Sequence, residues 1–167
     1  MARVGYSRRV DAGEFDEAEF FRKLFTSGAR VLLIGRQALI ALGLPVLTAD
    51  YHLWVAFEDI ERVNASLDSL GFVPTRTPEE ARRLGRYVLE NSEHVDVLIA
   101  RSVSTGQAVP VTFEDLWSRR QTVPLFSGVD VALSSFDDHI ATKLFGARQR
   151  DMVDISLLES LEKRGAT

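Results

Sequence analysis

Cysteine is absent from the 167 residues, so the chain has neither a disulfide framework nor a thiolate metal site, and nothing in it calls for an oxidising compartment. Lysine is scarce, confined to Lys23, Lys143 and Lys163, and the remaining positive charge is arginine. No apolar run approaches the roughly 18 residues that cross a bilayer, and Met1 to Val10 lack the apolar stretch of a secretory signal. A soluble, cytoplasmic protein with no membrane partner is expected. The net charge of -4 speaks against generic polyanion binding. Arg82, Arg83 and Arg86 form a local basic group that reads as a solvated helix face, with phosphate or an acidic partner as the alternative. Repeats and low-complexity tracts are also missing.

What is present fits one unit. With 46% hydrophobic residues, a chain of this length fills a single domain over 1–167, with an N-terminal helix at about 14–28 and a core at about 30–162. Phe15, Ala18, Phe21, Leu24 and Phe25 recur at a helical period, and Gly28 is a plausible stop. A short apolar run at 30–34 ends at Gly35, and a helix over 36–42 is closed by Gly43 and Pro45. Strand 50–57 alternates Tyr51, Leu53, Val55 and Phe57 against Asp50, His52, Trp54 and Ala56. One face of it is core and the other begins polar. A helix over 58–70 and a short strand over 72–74 follow.

Two strands, 86–89 and 94–100, flank the turn-prone residues 90–93, and Asp96 faces away from Val95, Val97 and Ile99. A helix near 113–120, strands near 122–125 and 129–133, and two closing helices complete the pattern. Ser135 is a candidate N-cap for the first closing helix, with Asp138 three residues on, and the last helix spans about 150–162. His139 reads as a helix-surface or capping residue. His94 precedes Asp96 by two, so if its strand neighbours 50–57, Asp50, His52, His94 and Asp96 offer a nitrogen and oxygen site for a transition metal. The plainer alternative makes His52 a satisfied histidine beside the sheet and His94 the end of a hairpin.

Taken in order, Gly35-Arg36, Thr48-x-Asp50-x-His52, Asp96 within HVDVLIA and the closing DDHIATKLFGARQRDMVDISLL run through most of residues 31–161. This pattern resembles the nucleotidyltransferase superfamily, particularly the minimal bacterial group related to abortive-infection and toxin/antitoxin nucleotidyltransferases. The resemblance implies an α/β (α+β) fold, a mixed sheet flanked by helices, with a nucleoside triphosphate as donor. It implies a catalytic and metal-binding set of Asp50, His52 and Asp96, and nucleotide contacts from Gly35, Arg36, Thr48 and Lys143. Arg148, Asp151 and Asp154 match an Arg-x-x-Asp-x-x-Asp element, which reads as organising the helix pair more than touching substrate.

The chemistry behind such a site is demanding. Two metal ions about 4 Å apart stabilise both the attacking and leaving oxygens. Their mutual repulsion, roughly 17 kcal/mol at an effective dielectric of about 20, requires anionic ligands. Ligands two apart on a strand stand on one face, roughly 6.6 Å apart along the backbone.

Three positions depart from the pattern. Arg36 stands where relatives have a small residue, so it either fills the phosphate space or binds phosphate through its guanidinium. His52 replaces an acid and suits Zn or Mn better than Mg. Val46 is apolar where relatives are often basic. A nucleotidyltransferase-like protein is therefore expected, binding a nucleotide or nucleic acid in a degenerate site with weak or no transferase activity. The alternative is an active enzyme using Mg, Mn or Zn, with RNA or protein as acceptor, and in that case a toxin with a cognate antitoxin.

Overall fold

The strands expected near 30–34, 50–57 and 94–100 form the centre of one mixed sheet. The computed structural model describes residues 15–104, 110–126, 128–144 and 149–165, the side chains of 141–144 and 149–152 excepted. In chain order its elements are α1 (Glu17–Phe25), β1 (Val31–Ile34), α2 (Gly35–Ala41), β2 (Tyr51–Val55), α3 (Ile60–Asp68), β3 (Val73–Pro74), α4 (Pro78–Leu84), β4 (Arg86–Glu90) and β5 (His94–Leu98). Then come the ribbon β6 (Ser102–Val103) and β7 (Val111–Thr112), α5 (Phe113–Ser118), β8 (Gln121–Phe126), β9 (Val129–Leu133), α6 (Phe136–Leu144) and α7 (Gln149–Gly165). The seven-stranded sheet is ordered β3-β4-β5-β2-β1-β9-β8, parallel at β2 with β5 and at β1 with β9, and antiparallel elsewhere.

Local sequence explains most of the boundaries. Asp16 caps α1 by accepting from the Glu19 N–H at 3.1 Å, with acids in the first turn and bases in the last. Thr77 and Glu80 form a reciprocal capping box for α4, Pro78 opens that helix, and Gly85 at φ +77 closes it. Ser135 Oγ accepts from the Asp138 N–H at 3.2 Å, as the sequence predicts for the start of α6. Burial alone would push the Asp138 carboxyl up, but hydrogen bonds from Arg119 and Ser135 prevail and hold it below its ordinary value.

Alternation along the strands sorts the side chains into two unequal faces. On the first, Val31, Leu33, Leu53, Val55, Val95 and Val97 pack under Phe20, Phe21 and Leu24 of α1, Ile60, Val63 and Leu67 of α3, and Ala81 of α4. Each such large side chain contributes roughly 1.5–3 kcal/mol of burial. On the second face Leu32, Trp54, Ala56 and Ala132 are covered by Phe113 and Leu116 of α5. That cover is partial. His52 and Asp96 lie on the same face but outside it.

The two closing helices pack on α2 through Leu39, Leu44 and Leu158. His139, expected at the surface or in a cap, is 4% exposed: three residues after Phe136 and beside Ile140, it falls on the inward stripe of α6. Asp154 on α7 is buried, and the Arg36 guanidinium donates to its two oxygens at 3.4 Å and 3.2 Å while also donating to the Leu47 carbonyl. The Arg36 bridge ties the start of α2 to α7. Arg36→Met should therefore lower stability to urea by about 2–3 kcal/mol, because it strips charged hydrogen bonds from a buried carboxylate. The double variant Arg36→Met, Asp154→Leu should regain at least half of that loss, and purely additive losses would contradict this role for the pair.

Candidate functional site

β2 and β5 run side by side, and their register sets His52 opposite Asp96. On the other edge of β2, Ile34 stands opposite His52. A row of same-face residues thus crosses the sheet as Ile34, His52, Asp96 and Val88, and the next row is Leu32, Trp54, Leu98 and Arg86. His52 and Asp96 are 41% and 49% exposed, with Nδ1 to Oδ2 at 3.7 Å. This separation is longer than a hydrogen bond, and it is an ion pair only with the imidazole protonated. The pair opens into a pocket of about 280 Å³ walled by Ile34, Leu98 and Arg86.

Gly35 lies against the His52 ring. The chain passes from β1 into α2 at Ile34, which gives no side-chain cap, and Gly35 takes φ +68. A Cβ there would lie 3.4 Å from His52 Cδ2, an ordinary contact, so the requirement for glycine comes from the left-handed backbone. Thr48 Oγ1 accepts from the Asp50 N–H at 3.1 Å, a local turn that leads into β2. The strand begins one residue later than the sequence suggests, at Tyr51, and Asp50 stands exposed just before it.

The structure therefore gathers His52, Asp96 and Gly35, with Asp50 and Thr48 at the start of β2. Arg36, another expected nucleotide contact, bonds Asp154. His94 is 74% exposed and pairs with Glu90 at 3.1 Å across the β4–β5 hairpin. Among the described residues, no group of three or more His, Cys, Asp or Glu side chains is arranged to hold a metal ion. As they stand, one imidazole and one carboxylate do not fit a pair of divalent ions. Arg148 and the side chains of Lys143 and Asp151 lie outside the described residues.

One pocket residue reads differently in three dimensions. Arg82 and Arg83 belong to α4, as a helix face would have it, and Arg82 bonds Glu61 at 2.8 Å and 2.6 Å. Arg86 is the first residue of β4, where the strand expected over 86–89 begins, and it lines the pocket. The separating signal is Gly85.

No family model matches the sequence, and no curated protein matches it. Solved structures do share its architecture. The lincosamide antibiotic adenylyltransferase LnuA, bound to lincomycin, aligns at a TM-score of 0.59 and 15% identity, over 87% of this chain and 98% of that one. ANT(2'')-Ia in complex with adenylyl-2''-tobramycin gives 0.59 at 13% identity, over 87% and 90%. A candidate nucleotidyltransferase from Thermotoga maritima gives 0.56 at 13% identity, over 87% and 88%. The chain has the nucleotidyltransferase fold. Among its described residues no helix is long and apolar enough to cross a membrane.

Gly35→Ala should cost about 1–2 kcal/mol in urea unfolding, through the forced left-handed backbone, and should shift the NMR signals of the His52 ring packed on it. Unchanged stability together with unchanged ring signals would contradict this contact.

Proposed function

We propose that this chain binds a nucleoside triphosphate, or the end of a nucleic acid, in the cleft at His52 and Asp96, with transferase activity weak or absent. The observation that carries the reading is the register of β2 with β5, which aligns the two half-exposed side chains over one pocket beside the Gly35 bend. In this reading His52 and Asp96 contact the ligand, His52 as donor or acceptor and Asp96 as acceptor. Gly35 and Thr48 shape the approach to it. Asp50 stands exposed one residue before β2 and is not among the residues that wall the pocket.

Two further observations favour binding over turnover. The imidazole at His52 supplies no permanent negative charge where a pair of dications would need it. Arg36 is bonded to a buried acid, so its charge is offset within the protein.

An active transferase is the second reading, and it draws on the exposure of Asp50, His52 and Asp96, which leaves all three side chains accessible. Transfer would join an acceptor oxygen to the α-phosphorus, break the bond to the β-phosphate and release pyrophosphate. Under that reading alone the chain would be an enzyme acting on RNA or protein, with a toxin's role and a cognate antitoxin as its biological setting.

Labelled nucleoside triphosphates, incubated with Mg, Mn or Zn and a transfer RNA pool, separate the two. Nucleotide binding by calorimetry should be retained by the wild type, with label transfer at or near background. His52→Asp should raise any transfer, since it restores an acid opposite Asp96. Robust transfer by the wild type that Asp50→Ala abolishes would replace the binding reading with the enzymatic one, and no nucleotide binding under any of the metals would defeat both.

A further inference from the structure

Given a nucleotide in this cleft, something must offset its phosphates. Among the described residues no group of three or more His, Cys, Asp or Glu side chains is arranged to hold a metal ion, and Arg36 is bonded to Asp154. Among the residues that wall the pocket, the one permanently cationic side chain is Arg86. It is exposed and stands beside Leu98, one row along from Asp96 on the neighbouring strand.

Arg76 braces the backbone of Arg86. The Arg76 guanidinium donates to the Arg86 carbonyl at 2.8 Å, in a segment where Thr75 prolongs the β3 pairing through Val88. Arg30, Arg82, Arg101 and Arg119 each bond a carboxylate. Among the described residues, by contrast, no carboxylate forms an ion pair with Arg76 or Arg86. A guanidinium group in the wall of a pocket, with no carboxylate paired to it, is a place where an external anion lowers the electrostatic energy.

We propose that Arg86, its backbone braced by Arg76, holds the phosphate tail of a nucleoside polyphosphate bound in the His52 and Asp96 cleft. The inference rests on the binding reading above and extends it to the direction in which the ligand lies. The Asp96 carboxylate repels phosphate and accepts from donor groups, so it takes the sugar hydroxyls or a base amino group. The phosphates point across β5 toward β4. Rows on a strand are roughly 6.6 Å apart, a span that a nucleotide covers.

The test is calorimetry in chelator, without divalent metal, using ATP, GTP, CTP and UTP beside the corresponding nucleosides. For whichever triphosphate the wild type binds, Arg86→Gln should weaken affinity about tenfold or more while leaving the nucleoside unchanged, as expected for loss of a charge-assisted contact. Arg76→Gln should weaken it by less. Arg83→Gln, an exposed base on α4, should stay within about twofold, the size of a screened field effect.

Equal losses for Arg83→Gln and Arg86→Gln would reduce the effect to net charge and overturn the contact. Equal losses for triphosphate and nucleoside would make Arg86 structural and overturn it as well. An Arg86→Gln variant that binds like wild type, or a wild type that binds triphosphate only with metal, removes the inference and leaves the binding reading standing. A wild type that binds no nucleotide under either condition removes both. Thermal unfolding accompanies each variant, and if Arg86→Gln fails to fold, Arg86→Lys takes its place, with a smaller loss confined to the triphosphate expected.

Discussion

The pairing of β2 with β5 is the constraint on which the rest of this molecule depends. Parallel strands need a crossover, and here the chain makes it through α3, β3, α4 and β4 before β5 returns beside β2. Register is enforced by burial. Tyr51, Leu53, Val95 and Val97 all enter the first core, and a slip of one residue would drive Asp96 under α1 and α3 while turning valines to solvent. Apolar packing on one face of the sheet therefore fixes a polar arrangement on the other. Because α5 covers only Leu32, Trp54 and their neighbours, that arrangement stays open.

Electrostatics then limits what the open half of the face can do. His52 against Asp96 brings at most one permanent negative charge to the row, against the several that closely spaced dications require. The arginine after the glycine bend is committed to Asp154, where it serves the packing of the closing helices. In the proposed binding reading, an anion in the cleft would meet the arginine of β4 in place of a pair of metal ions.

The fold was legible in the sequence because its strongest signals are periodic. Alternation at Tyr51, Leu53 and Val55 and at Val95, Val97 and Ile99 identifies both central strands and the faces on which His52 and Asp96 emerge. The helix α4 shows the opposite case. Its Thr77-Pro78-Glu79-Glu80 capping box is visible in the sequence, but seven residues with Ala81 alone buried give too little hydrophobic pattern to reveal a helix. The ribbon of β6 and β7 is two residues on each side, below what alternation detects. Pairwise partners were the least legible. That Arg36 bonds an acid 118 positions away, and that His94 bonds Glu90 across its hairpin, depends on tertiary placement that local pattern does not encode.

The central claim is that the row of His52 and Asp96, bordered by Gly35 and Arg86, forms one ligand cleft on the uncovered half of the sheet. Amide and histidine-ring NMR spectra recorded during titration with a nucleoside triphosphate test it most directly. The account predicts saturable shifts concentrated at Gly35, His52, Asp96, Leu98 and Arg86, with β8 and α3 undisturbed. Saturable shifts confined to another surface, with the His52 ring unmoved, would contradict it.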